Sequence, residues 1–256
     1  MRILKSIAVA FSMYSRIPMP RFRWASEDMK YHLAFFPWVG AAIGIAEYLW
    51  QMVYFYFGVS DLSHVLVAVA LPILITGGFH LDGLMDTADA LSSWRTKEER
   101  LEILKDPHIG AFSVIRLALY GLIFTAAVAG LTDDTILIWM GTFFLARCFS
   151  GIGVITLKSA RSDGLLATEA SSSSPKVVRT ILVIEAVICA GWMMGLCLIP
   201  GLITVAIGFT AFVYYRYFAY KNFGGVTGDL AGWYLCITEL CMTLGLWLTE
   251  ILGIFV

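Results

Sequence analysis

Seven apolar runs of about 17–25 residues follow one another along the chain with only short polar connections between them, a pattern that fits helices crossing a bilayer. They lie near residues 33–57, 64–81, 110–131, 135–157, 178–199, 201–218 and 231–252. The runs at 64–81 and 201–218 are the shortest, and little more than Pro200 and Gly201 separates the last two but one. Charged residues make up only 14% of the 256, against about 25% in soluble domains. The expected fold is therefore all-α: a polytopic integral membrane protein of about seven transmembrane helices. Residues 1–256 read as a single transmembrane catalytic domain without internal repeats. Ser171–Ser174 with Pro175 reads as a polar connector.

The basic residues alternate in position. Arg2, Lys5, Arg16, Arg21, Arg23 and Lys30 precede the first run. Arg95, Lys97, Arg100 and Lys105 follow the second, Lys158, Arg161 and Lys176 the fourth, and Arg216 and Lys221 the sixth. The intervening connections at 58–63 and 132–134 carry Asp61, Asp133 and Asp134 and no basic residue. The positive-inside rule then puts the N-terminus in the cytoplasm and the C-terminus outside. Residues 1–20 suit an interfacial helix, with Arg2, Lys5 and Arg16 toward headgroups and Ile3, Leu4, Ile7 and Phe11 toward lipid. The apolar core there is too short, and too closely followed by arginines, for an export signal. The five cysteines fall inside the runs and form no CxxC, and no basic block suggests nucleic acid.

Chemistry concentrates at one interruption. GGFHLDGLMDTADALSS, from Gly77 to Ser93, carries Asp82, Asp86 and Asp89 at i, i+4 and i+7. On a helix these carboxylates fall within about 60° of one another. Three like charges on one face of so apolar a chain call for a counter-ion, and magnesium held by carboxylates and bridged to a phosphorylated substrate supplies one. Asp82 and Asp86 are expected metal ligands, and Asp89 is either a third ligand or the general base. His80 would lie about 160° from Asp82 on a regular helix, and joins the site only if Gly77 and Gly78 unwind the backbone.

Further candidates face the same side. KNFGGVTGDLAGW, Lys221–Trp233, crowds Gly224, Gly225, Thr227, Gly228 and Asp229 before the last run. Glycines admit a ligand to backbone N–H groups and the next helix N-terminus favours an anion; an ordinary turn capped by Thr227 or Asp229 is the alternative. Asp229 could also contact metal or ribose. Arg16, before Pro18 and Pro20, either snorkels or contacts phosphate. Lys105 and Asp106 are substrate contacts or a solvated loop. Pro37, Gly40 and Gly44 suit close helix packing. Arg147 and Glu239 are ionisable groups inside runs and a plausible pair, either lining a cavity or purely structural; Glu47 is a third.

Taken together, GGFHLDGLMDTADAL, SRIPMP, FFPWVGAAIG, RLEILKDPHIG and GGVTGDLAG followed by Glu239 resemble, in this order and over nearly the whole chain, the bacterial cobalamin synthase family, the adenosylcobinamide-GDP ribazoletransferases. One departure is Ala90, where that family's motif often has glycine. The resemblance implies a multi-pass enzyme of the cell inner (plasma) membrane with its active site facing the cytoplasm. It implies joining of adenosylcobinamide-GDP to α-ribazole or its 5′-phosphate with release of GMP, and Mg2+ as cofactor. The partners implied are those two substrates and the lipid bilayer, with a homo-oligomer allowed. By position His80, Asp82, Asp86 and Asp89 match the family's acidic motif, and Gly224, Gly225, Thr227, Gly228 and Asp229 its C-terminal one. The rivals are a CDP-alcohol phosphotransferase, a prenyltransferase and a secondary transporter, all of which use acidic groups at or within the membrane.

Overall fold

The computed structural model describes residues 2–20, 25–161 and 174–254. Their helices are α1 (Arg2–Tyr14), α2 (Phe36–Phe57), α3 (Asp61–Thr76), α4 (Phe79–Ser92), α5 (Lys97–Ile103), α6 (Ala111–Ala129), α7 (Asp133–Thr156), α8 (Pro175–Leu196), α9 (Leu198–Phe223) and α10 (Gly228–Ile251). A 3-10 segment, Ser26–Phe35, leads into α2. No strand forms among the described residues, only an isolated parallel bridge between Ser159 and Val226. Arg21, Arg23 and most of the serine-rich connector lie outside the described residues.

Six helices are long and apolar enough to cross a membrane, and α3 with α4 makes a seventh if that bent pair is one span. The all-α, roughly seven-span expectation holds, but two runs end elsewhere than expected. The run at 64–81 does not continue to its end. Gly77 and Gly78 both adopt left-handed φ, 74° and 82°, which stops α3 at Thr76 and turns α4 away by 92°. The boundary before the sixth run falls at Cys197, in extended conformation, and not at Pro200. Pro200 sits in the first turn of α9, where its missing N–H leaves no helical bond unmade.

The bundle is built around α7 and α10. Along α7, Ile138, Trp139, Phe143, Leu145, Ala146 and Cys148 are fully enclosed, and α10 buries Leu230, Tyr234, Leu235, Met242 and Leu246. Surrounding helices turn large apolar side chains outward, among them Tyr56, Phe57, Leu122, Val187 and Phe209, as helices facing lipid do. Glycine sets the closest approach to α7: a Cβ on Gly40 would lie 2.3 Å from the Phe143 carbonyl oxygen, and one on Gly44 2.9 Å from that of Met140. This is the close packing expected of that glycine pair.

α1 docks on the 3-10 segment through Ser6, Val9, Ala10 and Tyr14, with Ser6 Oγ donating to the Asp28 carbonyl at 2.8 Å. Ile3 and Leu4 point outward, in keeping with an apolar face free for lipid. Ile7 and Phe11 depart from the expected lipid-facing set: both are partly buried, and Phe11 packs on the core, because the 3-10 segment occupies that side.

The placement of α4 decides where chemistry can occur. Its first half lies against the start of α10, where Gly83 meets the Asp229 backbone. Its second half reaches the start of α6, where Asp89 meets Gly110 and Ser113. Both contacts are beginnings of spanning helices, so α4 lies across one end of the bundle, at 92° to α3.

Candidate active site

Two glycines let α4 and α10 cross at backbone contact. A Cβ on Gly83 would sit 2.5 Å from the Asp229 carbonyl oxygen, and one on Gly232 3.0 Å from that of His80. This crossing brings Asp82, near the start of α4, to Asp229, in the first turn of α10. Gly83→Ala is therefore expected to push the helices apart and destabilise the fold by about 1–3 kcal/mol, read as a lower thermal midpoint in detergent. An unchanged midpoint would show that the crossing has slack.

Asp82 is exposed and Asp86 half-buried, and neither side chain accepts a hydrogen bond or pairs with a cation among the described residues. Burial, with the charges of Asp82, Asp229 and Asp89, pushes the Asp86 carboxyl up to about 6. Asp82, Asp86 and Asp89 all lie on the one continuous helix α4, at the i, i+4 and i+7 spacing that puts them on a common side. Asp89, however, is engaged at the start of α6. It accepts from Gly110 N at 2.7 Å, Ser113 N at 3.0 Å and Ser113 Oγ at 2.7 Å, which makes it the cap of that helix.

Among the described residues no three His, Cys, Asp or Glu side chains form a ready metal cage. Magnesium does not require one, because it commonly takes one or two carboxylates and completes its shell with water and substrate phosphate. Asp82 and Asp86, acidic and unpartnered, fit that use.

Asp82 and Asp229 line a cavity of about 300 Å3. Apolar groups from Tyr14, Leu33, Phe36, Phe79, Val154 and Leu235 share it with polar groups from His80, Ser159, Arg161 and Thr227. The glycine motif divides into separate jobs. Gly224, at φ 77°, ends α9. Gly225 is tight against the chain leaving α7, its Cβ position 2.5 Å from the Lys158 carbonyl oxygen. Thr227 caps α10 by accepting from Leu230 N at 3.2 Å. Only Gly228 is exposed, lines the cavity and has open space where a side chain would go.

Beneath α4 lies the pair anticipated inside the spans. Arg147 Nη1 donates to Glu239 Oε1 at 2.8 Å and to the Phe143 carbonyl at 2.7 Å, and both side chains are buried. With His80, Tyr120 and Cys236 they border a second cavity of about 30 Å3. The glycine pair does break the helix, but upstream of His80; α4 is already regular there, with Asp82 N bonded to Gly78 O at 3.1 Å. His80 consequently points inward beside Phe36 and Phe79, and burial, with the Arg147 charge, pushes its imidazole well below the usual histidine value. Glu47, also in a span, is buried without a partner for Oε1 among the described residues.

Of the sequence candidates, His80, Asp82, Thr227, Gly228 and Asp229 line the main cavity, and Lys105, Asp106 and Arg16 are among those that line neither cavity. Lys105 pairs with Glu102 at 2.8 Å, and Asp106 bonds His108; both are exposed in the connection between α5 and α6. Arg16 is exposed and lies over Gly77, with its backbone N donating to the Ile75 carbonyl at 2.7 Å. Conversely, sequence reasoning used Arg161 only as a topology marker and passed over Ser159, Tyr14, Gly83 and Gly232. No periodicity connects residues of α1 and the α7 exit to an aspartate on α10.

The profile described as cobalamin-5-phosphate synthase matches residues 6–247. Among curated relatives, an adenosylcobinamide-GDP ribazoletransferase of Lachnoclostridium phytofermentans is 40% identical over 98% of this chain and 96% of its own. Proteins of the same name from Clostridium botulinum and Azorhizobium caulinodans are 31% and 30% identical, over 93% and 94% of this chain and 95% and 93% of theirs. No solved structure matches. This membership sets aside the prenyltransferase, CDP-alcohol and transporter readings: the chain is a transferase of cobalamin biosynthesis and belongs to the cobalamin-5-phosphate synthase family.

Proposed function

We propose that this chain joins adenosylcobinamide-GDP to α-ribazole or α-ribazole 5′-phosphate, giving adenosylcobalamin or its 5′-phosphate and GMP. The observation that carries the reading is the meeting of Asp82 and Asp229 at a partly apolar cavity beside the open start of α10, with Asp86 one helical turn beyond Asp82 on α4. A ribose hydroxyl attacks the phosphorus esterified to cobinamide and gives up its proton to water; its oxygen forms the new P–O bond, and the bridging P–O bond breaks so that GMP leaves with the bridging oxygen. Magnesium, held by Asp82 and Asp86 with Asp229 beside them, would neutralise diphosphate charge. The backbone N–H groups at the start of α10, reached over Gly228, suit the same anion. Asp89, occupied by three donors from α6, anchors α4 and is better suited to positioning than to taking the hydroxyl proton. His80, Arg147 and Glu239 support α4 from below, and the apolar wall suits the corrinoid.

Purified protein in lipid, given adenosylcobinamide-GDP, α-ribazole and magnesium, should form adenosylcobalamin and GMP by mass spectrometry. A folded sample yielding no corrinoid product would overturn the reading. Gly228→Val should fold normally, because its side chain meets open space, yet bind the GDP-corrinoid about 10-fold or more weakly by blocking the approach to the α10 start. Normal equilibrium binding would reduce the motif to a turn.

The cytoplasmic facing of the site rests on the alternation of basic residues, and the inner membrane on what the family resemblance implies. Single cysteines in a cysteine-free background should label from inside at position 97 and from outside at 61 and 133. External labelling at 97 would invert the topology.

A further inference from the structure

Resting on that reading of the cavity, we propose that Arg161 is the residue that grips the substrate diphosphate. A site that neutralises a diphosphate with carboxylate-held cation on one side needs a fixed positive group on another. Arg161 is the only Lys or Arg among the described residues that lines the main cavity, and its charge is felt by Asp229.

The fold holds this side chain in place. The chain leaving α7 is pinned beside the glycine motif: Val226 N donates to the Lys158 carbonyl and Ala160 N to the Val226 carbonyl, both at 2.9 Å. Lys158 N donates to Tyr220 Oη at 2.8 Å, and Ser159 Oγ donates to the Arg161 carbonyl at 2.6 Å. Gly225 permits this approach, since any Cβ there would strike the Lys158 carbonyl. One guanidinium nitrogen, Nη2, donates to the Leu101 carbonyl, which fixes the head group to the end of α5.

Among the described residues the buried Nε has no hydrogen-bond partner, a condition that costs free energy unless something else accepts from it. Guanidinium groups bind phosphate oxygens in pairs, through Nε and a neighbouring nitrogen. An arginine with a rigid backbone, one anchored amino group, an unsatisfied Nε and a place in the cavity wall has the form of a preset phosphate clamp. The glycines of the motif thus serve the diphosphate through Arg161 as well as through the start of α10.

The test compares Arg161→Gln and Arg161→Lys with wild type in lipid, measuring KM for adenosylcobinamide-GDP, KM for α-ribazole and inhibition by GMP. Arg161→Gln should lose about 10- to 100-fold in kcat/KM for the GDP-corrinoid and weaken GMP inhibition, leaving KM for α-ribazole unchanged. Arg161→Lys, which keeps the charge but not the fork, should fall between. Added guanidinium should restore part of the activity of Arg161→Ala. Equal losses toward both substrates, wild-type GMP inhibition in Arg161→Gln, or failure of both Gln and Lys variants to fold would overturn the proposal and leave Arg161 as a loop anchor. Wild-type enzyme without turnover would instead fail the proposed function itself, so the two failures are separable.

Discussion

Replacing Asp82 by asparagine is expected to lower turnover by roughly 100- to 1000-fold while the protein remains folded and inserted. The amide keeps the size and removes the charge, so the loss reports electrostatics and not packing. Asp82 lines the cavity, is exposed and has no partner among the described residues, so no bond seen there breaks with its charge. Asp86→Asn should behave alike, and should leave the metal-free protein as stable or slightly more so. Its carboxylate is half-buried among like charges, and neutralising it relieves their repulsion. Activity assayed across a magnesium titration, with circular dichroism as the folding control, checks both. Near-wild-type turnover of Asp82→Asn at saturating magnesium would sink the metal assignment.

The second large effect is on stability. Arg147→Met leaves the Glu239 carboxylate buried with no counter-charge, and Glu239→Met does the reverse to the guanidinium. Each is expected to cost about 3–5 kcal/mol, as broken buried ion pairs do. Replacing both, as Arg147→Met with Glu239→Met, should recover much of that loss, because two apolar side chains avoid the desolvation that the ion pair must overcome. Unfolding midpoints of the four proteins in one detergent form the cycle. A double variant no more stable than the singles would refute the pairing argument. Activity should stay low in the double variant even if it is stable, since His80 and the base of α4 rest on Arg147 and its cavity.

Some features depend on only a few neighbouring residues, and these could be read directly from the chain. Apolar length made the spanning helices, because backbone polar groups in hydrocarbon must be satisfied within the helix. A period of 3.6 put Asp82, Asp86 and Asp89 on one face. Charge of opposite sign in two apolar runs pointed to Arg147 with Glu239, since neither could remain alone in the bundle. Glycine's tolerance of positive φ pointed to a break at Gly77 and Gly78, but not to its consequence, a 92° turn that lays α4 across the end of the bundle.

What the tertiary structure alone decided is which of those residues meet. Asp89 turned out to cap α6, because the start of that helix happens to lie within reach and offers three donors. Lys105 and Asp106 found local partners and stayed on the surface. Asp229 and Arg161 joined Asp82 across long separations in sequence, through contacts that exist only because Gly83, Gly225 and Gly232 leave no side chain in the way. The sequence by itself determined the class of fold, the acidic face and the family resemblance, all of which follow from local pattern. The cavity, its cation and the division of labour among the aspartates follow from how helix surfaces fit together, and that is a property of the packed chain.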